Sequence, residues 1–197
     1  MSKWIELNNE IVRRDKETGQ MMLHKDKEAL KEYFLNNVNL NTVFFHTLKE
    51  KLDYLVENEY YDDTILTKYK FSDVKKLYKY LYNQKFRFES YMAAQMFYER
   101  YALRTNDGER ILERYEDRVA ANALTMGDGD IEKAFEFAKL LINQEYQPAT
   151  PSFMNMMKKR SGMFVSCFLL EVNDSLNDLN AVEGYAKQLS KVGGGVA

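Results

Sequence analysis

The sequence predicts a mainly α chain with one β element beside its only cysteine, Cys167. Three observations lead there. Two prolines and nine glycines among 197 residues leave few turns and much room for helix. From about Lys27 to Asn143, apolar side chains recur at helical spacing. From Gln147 onward that pattern breaks: both prolines, the cysteine and the triplet Gly193-Gly194-Gly195 all lie there.

The elements follow in order. Trp4, Ile5, Leu7, Ile11 and Val12, before the polar turn Arg14–Gly19, suggest a small hairpin or an extended arm on the helical body. Asp26 is placed to cap a helix from Lys27 to about Asn36, with Leu30, Tyr33 and Phe34 on one face. Thr47 to Glu57 reads as a second helix. Ser72 caps a third, with Val74, Leu77, Tyr78 and Leu81 turned inward, and Ser90 caps a fourth through Tyr101. Asn106-Asp107-Gly108 is a tight turn. Ile111 to Met126 reads as helix with Gly127 as its C-cap, and Asp130 caps Ile131 to Asn143.

Around Cys167, the residues Val165, Phe168, Leu169, Leu170 and Val172 read as a buried strand. A lone cysteine in such a strand is usually a small hydrophobe. Thr150, between Pro148 and Pro151, is expected in an irregular loop whose hydroxyl can meet a phosphate or simply close a turn. The glycine triplet lets backbone N–H groups approach an anion, but it lacks the Lys-Ser/Thr of a phosphate-binding loop. Asp174 and Ser175 cap a helix through Leu176, Leu179, Val182, Ala186 and Leu189, and its N-terminus is a ready anion site.

Composition narrows the function classes. A net charge of −2 gives no bulk attraction to nucleic acid or membrane. No apolar run reaches membrane-spanning length, and the first residues lack a secretory h-region. One cysteine gives no disulfide framework, so a reducing cytoplasm is expected. His24 and His46 have no ligand partners at metal-site spacing. The acidic pairs Asp62-Asp63 and Asp128/Asp130 read as caps and loops. The basic and aromatic stretch Lys68–Phe88 could stack bases, yet an amphipathic helix with lysines outward explains it.

The segments QPATPSF, VSCFLL, NDSL and LSKVGGGVA, in that order and spacing, resemble the large catalytic subunit of ribonucleotide reductases. NLNTVFFHTLKEKLDYLVENEYY, KFRF and YALRTNDGERILERYEDRVA resemble its class Ib form. The resemblance implies a helical N-terminal domain over residues 1–146 and, over 147–197, the first strand or strands of a ten-stranded α/β barrel left incomplete here. It implies no complete ATP cone at the N-terminus. The implied activity is reduction of ribonucleoside diphosphates to deoxyribonucleoside diphosphates for DNA synthesis.

By the same resemblance Cys167 is the first of two reducing cysteines. Thr150, Ser166, Cys167 and Gly195 contact the substrate, and Asp174, Ser175 and Leu176 begin the site for a dNTP or ATP effector. No metal or cofactor is expected on this chain. The radical is expected from a metal-carrying small subunit, and electrons from a thioredoxin- or glutaredoxin-type thiol. The assembled large subunit is expected to be a homodimer. The family's radical-bearing cysteine and the disulfide partner of Cys167 are not in this sequence, so the chain is not expected to turn over alone. A split or interrupted gene, with the C-terminal part supplied separately, is the expectation. The alternative is a non-catalytic remnant or regulator that binds reductase subunits.

Overall fold

The structure is a computed structural model and describes residues 2–160 and 162–197. It is mainly helical, with two short strands near the C-terminus.

The chain opens with helix α1 (Lys3–Glu10), where a hairpin or an extended arm was expected. Trp4 and Leu7 stand one helical turn apart and turn toward the body, and Trp4 meets Tyr33 edge-on at 5.9 Å. A hairpin-like bridge does follow: Arg14 pairs with Met21 around the turn that Asp15 closes by accepting the Glu17 and Thr18 N–H groups. Helix α2 (His24–Tyr33) runs through a π-helical turn, Phe34–Val38, into α3 (Asn39–Asn41). It starts before Asp26, so Asp26 is not its cap. The Asp26 carboxylate instead accepts the Tyr91 N–H at 3.2 Å, serving the start of another helix.

Helix α4 (Leu48–Glu57) begins at Thr47 as expected, the threonine accepting from Glu50 N–H. A single turn, α5 (Asp63–Leu66), is capped by Asp62. Helix α6 (Phe71–Asn83) begins one residue after Lys70, which places Ser72 inside the first turn rather than at the cap. Its expected face, Val74, Leu77, Tyr78 and Leu81, is buried. Ser90 caps α7 (Tyr91–Met96), which passes into a second π-helical turn, Phe97–Tyr101.

Helix α8 (Tyr115–Gly127) starts later than Ile111. Residues 111–114 are extended because Ile111 bridges both Thr42 and Arg104, and these ladder bonds compete with a helical turn. The left-handed residue after α8 is Asp128, not Gly127. Gly127 has a different task. A Cβ there would lie 2.9 Å from Ala134 Cβ, so glycine allows α8 and α9 (Ile131–Ile142) to cross closely. Asp130 caps α9 as expected.

Helix α10 (Thr150–Asn155) occupies the place of the expected loop. Pro151 lies in its first turn, where a missing N–H costs nothing and a fixed φ favours the helix. Pro151, Phe153 and Met157 are buried in the body. Beyond it come β1 (Cys167–Phe168), α11 (Leu176–Lys191) and β2 (Gly195–Val196). The two strands are parallel, and the sheet they form is open.

The body is held by an aromatic cluster, with Phe86 stacked on Tyr115 at 4.0 Å and Phe88 and Phe97 against the same ring. Beside it lies a polar core. Arg118 and Glu113 are fully buried 3.3 Å apart, and Glu113 also accepts from Tyr61 Oη at 2.5 Å and Leu103 N at 2.9 Å. A buried charge must be paired and hydrogen-bonded to persist, and this one is.

Candidate functional site

The three residues at the strand pair come together. The parallel register sets Cys167 opposite Gly195, and Gly195 N–H donates to Ser166 O at 2.7 Å. Ser166 Oγ and Cys167 Sγ are 3.9 Å apart. The pair is extended at one end, where Ala197 N–H donates to Phe168 O and Leu170 N–H to Ala197 O.

The glycine triplet has a structural task first. Gly193 takes φ +85° to leave α11, and a Cβ on Gly194 would fall 2.2 Å from the Phe168 ring. All three triplet amides are spent inside the chain: Gly193 N–H on Ser190 O, Gly194 N–H on Leu189 O and Gly195 N–H on Ser166 O. The amides therefore do not stand free for an anion, as the bare triplet suggested.

The strand is not buried, contrary to expectation. Cys167 is exposed, and so are Val165, Leu169 and Val172, with Leu169 at 86%. An apolar run marks what a strand will bury once something packs on it, and among the described residues no element covers these side chains.

Thr150 is held elsewhere, on the helical body. Its Oγ1 lies 3.0 Å from Tyr101 Oη while the residue stays exposed. Ser175 caps α11 by accepting the Asp178 N–H at 3.1 Å. Asp174 and Leu176 beside it are exposed. The positive end of this helix thus faces solvent with Asp174, Ser175 and Leu176 gathered around it.

A feature that sequence reasoning missed is a cleft of about 560 Å³ between the 42–48 segment, α4, α6 and the start of α8. Lys75, Lys79 and Arg114 line it together with the exposed ring of Phe44, which meets His46 at 5.2 Å. Lys51 in the same wall is matched by buried Asp117 at 2.5 Å, so the cleft's positive charge comes from the other three. That chemistry suits an anion with a flat ring. The signal was the i,i+4 pair Lys75/Lys79 in the basic stretch, but its partners from other segments are invisible in sequence. Among the described residues no group of three His, Cys, Asp or Glu side chains could hold a metal, and no helix is long and apolar enough to cross a membrane.

Comparison with known proteins decides the family. Residues 4–86 match the ribonucleotide reductase N-terminal family, and residues 87–161 match the ribonucleotide reductase all-alpha domain. The chain belongs to the ribonucleotide reductases. Across 196 residues, 99% of its length, it is 57% identical to the ribonucleoside-diphosphate reductase subunit alpha of Bacillus subtilis (strain 168) and covers 28% of that protein. It is 56% identical over 98% of its length to the nrdEB subunit alpha of Bacillus phage SPbeta, covering 18% of that protein. The subunit alpha of Mycoplasma genitalium is 41% identical over 87% of the chain, which covers 24% of it. This reductase chain therefore spans less than a third of the length of these relatives, and it corresponds to the N-terminal portion of the class Ib large subunit.

Proposed function

We propose that this chain supplies the helical domain and the first barrel strands of a ribonucleoside-diphosphate reductase, acting when joined to the rest of the large subunit. The observation that carries the reading is the identity of 57% across 99% of the chain. Residues 1–146 form the helical domain in this reading and residues 147–197 the start of the catalytic barrel.

Within it, Cys167 is one of the two thiols that give up electrons as the ribose 2′-hydroxyl is replaced by hydrogen, ending as a disulfide. Ser166 beside it and Gly195 opposite it line the substrate's seat, which their pairing with Cys167 supports. Thr150 offers its exposed hydroxyl to the diphosphate end. Asp174, Ser175 and Leu176, at the positive end of α11, take a dNTP or ATP effector. A metal-carrying small subunit would supply the radical, and a thioredoxin- or glutaredoxin-type thiol would restore the cysteines. The large subunit would act as a homodimer in the cytoplasm, where free thiols persist.

The test is Cys167→Ser in the assembled reductase. Multi-turnover deoxynucleotide formation is expected to disappear, while binding of substrate, measured by calorimetry, stays. Wild-type turnover in this variant rules the assigned role out.

A further inference from the structure

Tyr101 closes the π-helical turn that follows α7, and its hydroxyl meets Thr150 Oγ1 at 3.0 Å. Its ring leans on Phe153 at 5.8 Å, one turn further along α10. From behind, α10 is fastened by two buried side chains of α8. Asn122 Nδ2 donates to Phe153 O at 3.0 Å, and Arg118 donates to Met154 O at 3.4 Å and to Met156 O. The backbone that carries Thr150 is thus fixed by α8, and the Thr150 hydroxyl is held by Tyr101.

Either hydroxyl can donate across this contact. A phenol is a much stronger acid than an aliphatic alcohol, so the arrangement that favours ligand binding has the tyrosine O–H donating and the threonine oxygen accepting. The threonine proton is then left to be given elsewhere. Thr150 is exposed, so that proton faces open solvent where a ligand can arrive. A hydroxyl that accepts one hydrogen bond donates the next one more strongly. A phosphate oxygen, being charged, gains the most from such a donor.

We infer that Tyr101 is a positioning residue for substrate binding: its hydroxyl orients Thr150 so that the threonine proton points to a phosphate oxygen of a nucleoside diphosphate. This rests on the reading of Thr150 as a substrate-binding residue. The π-helical turn Phe97–Tyr101 ends at Tyr101 and carries its side chain to α10.

The experiment is steady-state kinetics of the assembled reductase carrying Tyr101→Phe, Thr150→Ala, or both. Tyr101→Phe keeps the ring on Phe153 and removes only the hydroxyl. It is expected to raise KM for the diphosphate about fivefold, the size of one ordinary hydrogen bond, with the effect on KM rather than kcat. Thr150→Ala is expected to raise KM at least as much. The double variant is expected to match Thr150→Ala alone, because the tyrosine acts only through the threonine. Unchanged KM in Tyr101→Phe beside a raised KM in Thr150→Ala overturns the inference and leaves the threonine's own role standing, as does simple addition of the two effects. Unchanged KM in Thr150→Ala overturns both. A Tyr101→Phe enzyme that loses kcat and melting temperature together overturns the inference in favour of a packing role.

Discussion

Arg118 is the buried cation at the centre of the body's polar core. Its guanidinium is fully buried, pairs with Glu113, and caps the carbonyls of Met154 and Met156. Replacing it by methionine would keep much of the volume but leave Glu113 charged and buried. Arg118→Met is therefore expected to cost about 3–5 kcal/mol, read as a lower denaturant midpoint. Lys158 makes a pH-dependent case. Burial pushes its ammonium down to about 8, with Glu113 pulling the other way, while the ordinary value is 10.5. Between those values the unfolded chain holds a proton that the folded chain has released. The penalty is thus complete below about 8, and stability from this group rises as pH climbs toward 10.5. Lys158→Met is expected to be more stable than the parent at neutral pH, with the difference shrinking in alkaline buffer. Urea midpoints taken across that range check it, and a pH-independent difference would contradict it. Neither residue could be singled out from sequence. Arg118 sits in a run of charged residues, and Lys158 opens a basic triplet, and only the fold shows that the first is buried and the second half-buried.

At the scale of elements, the sequence was most legible where a side chain acts on its own helix. Ser90, Asp130 and Ser175 cap the helices expected of them, because an N-cap needs nothing beyond the next three residues. It was least legible where the partner comes from elsewhere. Asp26 has the right chemistry for a cap but spends it on Tyr91, 65 residues away. Ile111 leaves its helical pattern for bridges to Thr42 and Arg104. The strand at Cys167 was legible as a strand, yet its burial was not, since burial belongs to whatever packs on it. The roles of Thr150 and Ser166 came from resemblance to a family and not from their spacing. Two expectations follow. Asp26→Ala should lower stability by about 1 kcal/mol, seen as a drop in melting temperature, because α7 loses a carboxylate at its positive end. Gly127→Ala should cost about 1–3 kcal/mol by the same measurement, because its methyl would press on the backbone of α9. A variant as stable as the parent would mean that the two helices can part freely.

Across the whole molecule, burial is uneven. The buried core runs from Ala29 to Met157, whereas none of the described residues from 162 to 197 is buried. Few buried contacts mean low local stability. Limited trypsin digestion of the chain is therefore expected to cut first after Lys159 or Arg160 and within α11, leaving a resistant fragment that contains the helical body. In the assembled large subunit the same bonds should be protected. Equal resistance along the chain would show that residues 162–197 fold as firmly as the body does.

The bonds from Arg118 and Asn122 to α10 also set an order of events in the cell. Translation delivers α8 to the solvent before the carbonyls of Phe153, Met154 and Met156 exist to receive its side chains. Until they emerge, the guanidinium has Glu113 as its partner but lacks the carbonyls of Met154 and Met156. The native bonding of that charge is complete only once Met156 has been made, so the helical body is completed by the segment that leads to Cys167.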